Sequence, residues 1–218
     1  MLKAILFDLD GTIVNTDPIH LTVWQEVLRP YNVLINEKIY KSKFTGRLNP
    51  EIIKDFVPEL SSQESEKLAE GKEALFRKQA SNLQPLAGFN ELIDWTDHHK
   101  VKRALVTNAP RLNAEFMLEC LNIKQLFDVI ILAEEEAAAK PDPIPYKVGL
   151  ERIRAIAKNS IAIEDSPSGI RSAVNAGIPT IGMCTSQEAD TLLDIGAFIA
   201  IQDFTDSRLW TFLESQIS

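Results

Sequence analysis

The feature that most limits the fold is a set of short apolar runs of strand length, most of which stop at polar residues. Residues 4–7 stop at Asp8, 103–106 at Thr107-Asn108, 129–133 at three glutamates, and 160–163 at Glu164-Asp165; residues 179–183 and 197–201 complete the set. Continuous apolar runs suit strands covered on both faces, as in a parallel sheet. Between them lie stretches of helical character. Residues 110–121 precede Asn122, residues 143–157 carry Val148, Leu150, Ile153 and Ile156 near helical spacing, and residues 167–176 run up to Gly177, which suits a left-handed cap. This alternation predicts an α/β fold, a doubly wound parallel sheet of the Rossmann-like type.

One gap breaks the alternation. Most of the stretch between residues 7 and 103 has no strand-like run, and a single crossover needs far fewer residues. Thr16 or Asp17 with Pro18 opens a helix reaching to Arg29, Asn49-Pro50-Glu51 opens another, and Ser61 or Ser62 opens a third that extends toward Ala80. Pro85 and Gly88 mark the return. The expectation is an α-helical cap of residues 16–84 inserted into an α/β core of residues 1–15 and 85–218. A cap placed directly after the first strand is expected over that strand's carboxyl end, where ligands of open α/β sheets bind.

The length, 218 residues, suits one large domain or one with a smaller insert, and 45% hydrophobic with 25% charged residues suits a packed globular chain. The net charge of −8, with Lys and Arg scattered, argues against a nucleic acid partner. It does not argue against an anionic small molecule, because a metal ion and a few local donors can reverse the sign of one cleft. No apolar run reaches membrane-spanning length, and the amino-terminal residues lack a secretory pattern. Cys120 and Cys184 fit neither a metal spacing nor a redox pair. A cytoplasmic protein with reduced thiols, no membrane association and no obligate protein partner is expected.

Four clusters carry chemistry. In Asp8-Leu9-Asp10-Gly11-Thr12, two carboxylates two apart at the end of a buried strand are costly without a cation, and Mg²⁺ prefers such oxygen ligands. The plain alternative is an acidic turn; a calcium loop fails, because its glycine and terminal glutamate positions do not match. Thr107-Asn108 reads either as turn and capping chemistry or as a phosphate-binding pair. Lys140, in Lys140-Pro141-Asp142-Pro143, is either a solvated charge or a lysine held against a phosphate or carboxylate. Glu164-Asp165-Ser166-Pro167-Ser168-Gly169 reads as a helix cap or as the rest of a Mg²⁺ shell. In the expected sheet all four fall at or just beyond the carboxyl ends of strands. Together they supply what phosphoryl transfer through an aspartyl phosphate requires.

These motifs, in this order and over essentially the whole chain, resemble the haloacid dehalogenase-like phosphatase superfamily, in its subclass with a small α-helical cap, and within it the β-phosphoglucomutase and sugar-phosphatase group. The resemblance implies that Asp8 is the nucleophile and a Mg²⁺ ligand, and that Asp10 is the general acid/base and lends its carbonyl to the metal. It implies that Asp165 ligates the metal with Glu164 beside or behind it, and that Thr107, Asn108 and Lys140 hold the phosphoryl group. The dehalogenases of the superfamily lack an acid at the position of Asp10, since halide leaves without a proton; Asp10 therefore favours phosphate esters.

In the cap, His20 and Trp24 share a helix face and read alone as an interfacial histidine and a core tryptophan. Both match positions of the β-phosphoglucomutase pattern. Lys72 falls near a substrate-facing lysine of that group, and Thr45-Gly46-Arg47 resembles its substrate loop. Asn49 stands where the mutase has an arginine for a second phosphate, and Asn15 stands where an acid is common. The expected activity is therefore a Mg²⁺-dependent phosphatase of a small phosphorylated metabolite, a sugar phosphate, with a mutase-type phosphotransferase as the alternative. A receiver-like domain is shorter and lacks a cap, and a non-catalytic relative would usually have lost Asp8 or Asp10. His98 and His99 read as surface residues.

Overall fold

The computed structural model describes residues 1–217. The chain divides into two compact units, one of residues 1–15 together with residue 84 onward, the other of Thr16–Leu83. In chain order the elements are β1 (Ala4–Phe7), α1 (Asp17–Leu28), α2 (Glu37–Lys43), α3 (Asn49–Phe56), α4 (Ser62–Gln79), α5 (Phe89–His98), β2 (Lys102–Thr107), α6 (Arg111–Leu121), β3 (Val129–Leu132), α7 (Ile144–Ile153), β4 (Ser160–Glu164), α8 (Pro167–Asn175), β5 (Thr180–Met183), α9 (Ala189–Ile195), β6 (Ile199–Ile201) and α10 (Ser207–Ser215).

The first unit is an α/β sheet of six parallel strands in the order β3-β2-β1-β4-β5-β6. From β1 the chain builds outward through β2 and β3, then returns to the other side of β1 with β4. The reversal of strand order therefore falls between β1 and β4, and a crevice opens at the carboxyl ends of strands at such a point. Phe7 is opposite Leu105 of β2 and Ile163 of β4, and the Asp8 N–H donates to the Ile163 carbonyl at 3.0 Å. The acid is thus delivered to the crevice by strand pairing.

Both faces of the central strands are covered, which is why their sequences do not alternate with polar residues. Ala4 and Leu6 share one face with Ala104, Val106, Ile131 and Ala162, under Tyr146, Leu150 and Ile153 of α7 and Ala173 of α8. Side chains alternate across a strand, so Phe7 lies on the other face, where its ring meets Phe89 and Phe204 with centroids 6.2 and 6.4 Å away.

Some boundaries differ from expectation. Helix α7 ends at Ile153 rather than continuing to 157, because Arg154 turns left-handed with φ 54° and its N–H bonds back to Glu151 and Leu150. Ile156 is exposed and belongs to no buried helix face. Thr107 and Glu164, expected just past their strands, are instead the last residues of β2 and β4. Ala133, expected to end β3, opens a short 3₁₀ turn.

The second unit consists of α1 to α4 around its own core of Trp24, Leu28, Tyr40, Phe44, Ile52 and Ile53. Helix α4 starts with a capping box. Ser61 Oγ accepts from the Glu64 N–H at 3.3 Å, and Glu64 Oε2 accepts from the Ser61 N–H at 2.9 Å. No helix among the described residues is long and apolar enough to cross a membrane.

Candidate active site

The reversal point gathers Asp8, Lys140, Glu164 and Asp165. Asp8 directly follows β1, Glu164 ends β4 and Asp165 comes next, while Lys140 reaches in from the loop before α7. Its ammonium donates to Asp8 Oδ1 at 2.7 Å, to Glu164 Oε1 at 2.5 Å and to the Val106 carbonyl at 2.7 Å, so all three of its donors are directed. Lys140 is 4% exposed, Asp8 6% and Glu164 0%, which makes this a buried charge network rather than a surface pair.

The charges do not balance. One ammonium serves two carboxylates, and Asp165 and Asp10 add two more acids to the same loops. Burial first, and Glu164 second, push the Asp8 carboxyl up to about 8, with Lys140 pulling the other way. Burial works downward on Lys140, but Asp8 and Glu164 more than reverse it and hold the ammonium above its usual range. Carboxylate oxygens of Asp8, Glu164 and Asp165 lie within 4.8 Å of one another. A buried, all-oxygen donor set with surplus negative charge fits a hard divalent cation such as Mg²⁺.

Two close approaches shape this pocket. Gly11 has φ 81°, and a Cβ there would overlap the Asp165 carboxylate; at Gly169, in the first turn of α8, a Cβ would overlap that of Glu164. Only glycine lets the Asp10 loop and α8 come so near the two acids. The Asp10 loop is closed by an N–H of Gly11 donating to the Val14 carbonyl at 2.7 Å. Ser166 caps α8 by accepting from the Gly169 N–H, so within the Glu164–Gly169 motif the capping and acidic readings hold for different residues.

Thr107 is buried, and its hydroxyl oxygen accepts from the Ala109 N–H at 3.0 Å, which leaves its proton to be donated. The Asn108 amide is paired reciprocally with the Lys140 backbone, donating to its carbonyl at 3.2 Å and accepting from its N–H at 3.1 Å. Asn108 therefore ties the loop after β2 to the lysine loop. Sequence reasoning missed Tyr146, whose hydroxyl donates to Glu164 Oε1 at 2.8 Å. Burial, with Glu164 next, raises its pKa well above the ordinary value, so it stays a donor. Its position six residues after Lys140, early in the helix expected from 143, was the available signal.

The remaining candidates belong to the helical unit. Lys72, on α4, is buried; its ammonium lies 3.0 Å from His20 Nδ1 and 2.9 Å from Glu73 Oε1, and 5.3 Å from the centre of the Trp24 ring. His20 stacks on Phe76 with centroids 4.1 Å apart. Trp24, 2% exposed, is a core residue of this unit, and its ring backs Lys72. Gly46 is left-handed with φ 70°. Arg47, carried by sequence as a substrate-loop residue, is bound within its own unit: to Asp55 at 2.8 Å, to Glu51 at 3.6 Å and to the Lys43 carbonyl at 3.0 Å. Asn49 donates to Glu73 Oε1 at 2.5 Å.

Burial works upward on Glu73, but Lys72 and then His20 outweigh it and hold its carboxyl below the ordinary value of 4.5. A carboxylate depressed in the folded state adds stability that is full above its unfolded pKa and is lost as pH falls through the folded one. Glu73→Gln is therefore expected to destabilise the protein at pH 7 by about 1–3 kcal/mol, since it strips the charge from a buried partner of Lys72. The deficit is expected to shrink in acid below pH 4.5. Denaturant melts at pH 7 and pH 4 check this; equal losses at both would show that charge is not the cause.

A model of the haloacid dehalogenase-like hydrolase family matches residues 5–183. Validoxylamine A 7'-phosphate phosphatase of Streptomyces hygroscopicus subsp. limoneus is 31% identical over 95% of this chain and 97% of its own. Phosphorylated carbohydrates phosphatase of Thermotoga maritima is 26% identical over 92% of this chain and 94% of its own. The crystal structure of a family IA, variant 3 hydrolase from Entamoeba histolytica superposes with a TM-score of 0.87 at 25% identity, covering 99% of each chain. The sequence match and the parallel sheet with acids at its reversal point agree: the chain belongs to the haloacid dehalogenase-like hydrolase family, as an enzyme of its phosphatase group.

Proposed function

We propose that this protein is a Mg²⁺-dependent phosphatase of a small monophosphorylated, hydroxyl-rich metabolite of the sugar phosphate type, working through an aspartyl phosphate on Asp8. The observation that carries the chemistry is the buried Asp8–Lys140–Glu164 network beside Asp165, in which negative charge exceeds positive at the end of β1. A carboxylate oxygen of Asp8 attacks phosphorus while the bond from phosphorus to the leaving oxygen breaks. Asp10 delivers a proton to that oxygen. Water then attacks the phosphoryl group with Asp10 taking its proton, which releases phosphate and restores Asp8. Lys140, its three N–H groups directed at Asp8, Glu164 and the Val106 carbonyl, supplies positive charge beside the phosphoryl group, the Thr107 hydroxyl donates to the phosphoryl oxygens, and Asn108 and Tyr146 hold Lys140 and Glu164 for that work. Asp8, Asp165 and the Asp10 carbonyl, backed by Glu164, would hold Mg²⁺, which when bound withdraws charge from the transferring group.

The choice of water over a second sugar hydroxyl is supported by the helical unit. A phosphomutase must grip a second phosphate, which calls for a firm cation. Arg47 is paired with Asp55 and Glu51, Lys72 with Glu73, and the side chain at 49 is a neutral amide bound to Glu73. Two relatives are named for phosphate removal, one from phosphorylated carbohydrates and one from validoxylamine A 7'-phosphate. The deciding assay follows phosphate release across sugar and polyol monophosphates with Mg²⁺ and with excess EDTA, alongside β-glucose 1-phosphate with a trace of glucose 1,6-bisphosphate. Net phosphate release that stops in EDTA is expected. Fast glucose 6-phosphate formation with almost no free phosphate would make the enzyme a mutase.

Asp10→Asn separates the acid from the nucleophile. It is expected to lower turnover of alkyl and sugar phosphates by about 10²–10⁴-fold. Aryl phosphates, whose leaving oxygens need no proton, should lose much less in the first step. Equal losses for both classes under single-turnover conditions would remove Asp10 from the acid role.

A further inference from the structure

The loop after β5 carries two hydroxyl side chains with no part in the mechanism above. Thr185 Oγ1 donates to the carbonyl of Gly11 at 2.5 Å, and Ser186 Oγ, fully buried, donates to the carbonyl of Asp165 at 2.9 Å. The two carbonyls belong to loops that already touch, since Gly11 lies against the Asp165 carboxylate with no room for a Cβ. Neighbouring residues of a third loop therefore grip both sides of one contact. That third loop is itself anchored: β5 pairs with β4 through Glu164 opposite Gly182, and the Cys184 N–H donates to the Ile201 carbonyl at 2.7 Å. Two bonds from a fixed base leave the Asp10-Gly11 backbone little freedom to move relative to Asp165.

We infer that Thr185 and Ser186 are positioning residues which set the separation between the Asp10-Gly11 backbone and the Asp165 carboxylate, and thereby the affinity of this acidic pocket for a divalent cation, resting on the Mg²⁺ reading above. Hard-cation sites hold their geometry through the groups behind their ligands, and loss of such a group typically weakens metal binding by about 10–100-fold. A hydroxyl that only satisfied a buried carbonyl would affect folding stability and leave metal affinity alone.

The test uses full-length Thr185→Val, Ser186→Ala and, as the conservative control, Thr185→Ser. Calorimetric Mg²⁺ titration of the metal-free proteins is paired with thermal unfolding in EDTA and with the Mg²⁺ dependence of phosphate release. Thr185→Val and Ser186→Ala should each weaken Mg²⁺ binding about tenfold. Half-maximal activity should shift to correspondingly higher Mg²⁺, with kcat at saturating metal near wild type. Thr185→Ser, which keeps the donor, should bind Mg²⁺ like wild type. Unchanged Mg²⁺ affinity in the folded variants would overturn the inference, whatever happens to the unfolding temperature. Failure of Thr185→Ser to keep wild-type affinity would also overturn it, since the hydroxyl would then not be the cause. Wild-type protein with no measurable Mg²⁺ binding would overturn the metal reading itself, and this inference with it. Should Ser186→Ala not fold, the Thr185 pair decides the matter.

Discussion

Asp8→Asn is expected to lower turnover of every phosphate ester by about 10⁴-fold or more, the scale on which removing a covalent nucleophile acts in other enzymes. The substitution is nearly isosteric, and the asparagine oxygen can still accept from Lys140, which donates to Asp8 Oδ1 at 2.7 Å in the native protein. It also removes a carboxyl whose ionisation is costly in this cluster, where burial and Glu164 push Asp8 up to about 8. Stability in EDTA should therefore hold or rise while activity vanishes. Burst kinetics with an activated ester, or acid-trapped phosphoenzyme found in wild type and missing in the variant, locate the defect at the covalent step. Turnover near wild type would place the nucleophile elsewhere.

Lys140→Met should fail in both respects. It removes the one ammonium that, among the described residues, pairs with Asp8 and Glu164, in a site where all three groups are buried. Breaking a buried ion pair by removing one partner costs about 3–5 kcal/mol, because the carboxylates left behind have lost their counter-charge. The loss should be largest in EDTA and partly repaired by Mg²⁺, which supplies positive charge to the same acids. At saturating Mg²⁺, kcat should still fall by about 10²–10³-fold, as expected when a preorganised charge aimed at the transferring group is removed. Lys140→Arg should recover little, since a planar guanidinium cannot reproduce three donors that converge on Asp8, Glu164 and the Val106 carbonyl. A Met variant as stable as wild type in EDTA would show that the pocket acids do not rely on this lysine.

Not every element was equally legible in the sequence. The strands were plain because burial on both faces leaves a continuous apolar run. Helix α4 was legible because a serine at 61 or 62 could open it, and the structure puts the cap on Ser61 with Glu64 completing a capping box. Helices α2 and α9 were not, since seven residues give too few turns for periodicity to show. The end of α7 was misplaced because an arginine, rather than a glycine, takes the left-handed position there. Nothing in a sequence marks that substitution, as the cost of φ 54° is met by bonds formed after the helix exists.

By itself the sequence determined the alternation of strand and helix, the inserted helical segment, and the placing of acids at strand ends. Those follow from local periodicity and from the need to bury apolar runs. Tertiary structure alone decided how the charges are partnered. That Lys140 serves two acids at once, that Tyr146 donates to Glu164, and that Thr185 and Ser186 hold the Gly11 and Asp165 carbonyls all depend on strand order bringing β1, β4 and β5 side by side. It likewise decided that Arg47 spends its charge on Asp55 and Lys72 on Glu73. A charge in a sequence has a sign and a reach, but its partner is chosen by packing: desolvation makes an unpaired buried charge too costly to keep, and only the folded chain determines which opposite charge lies within a few ångströms.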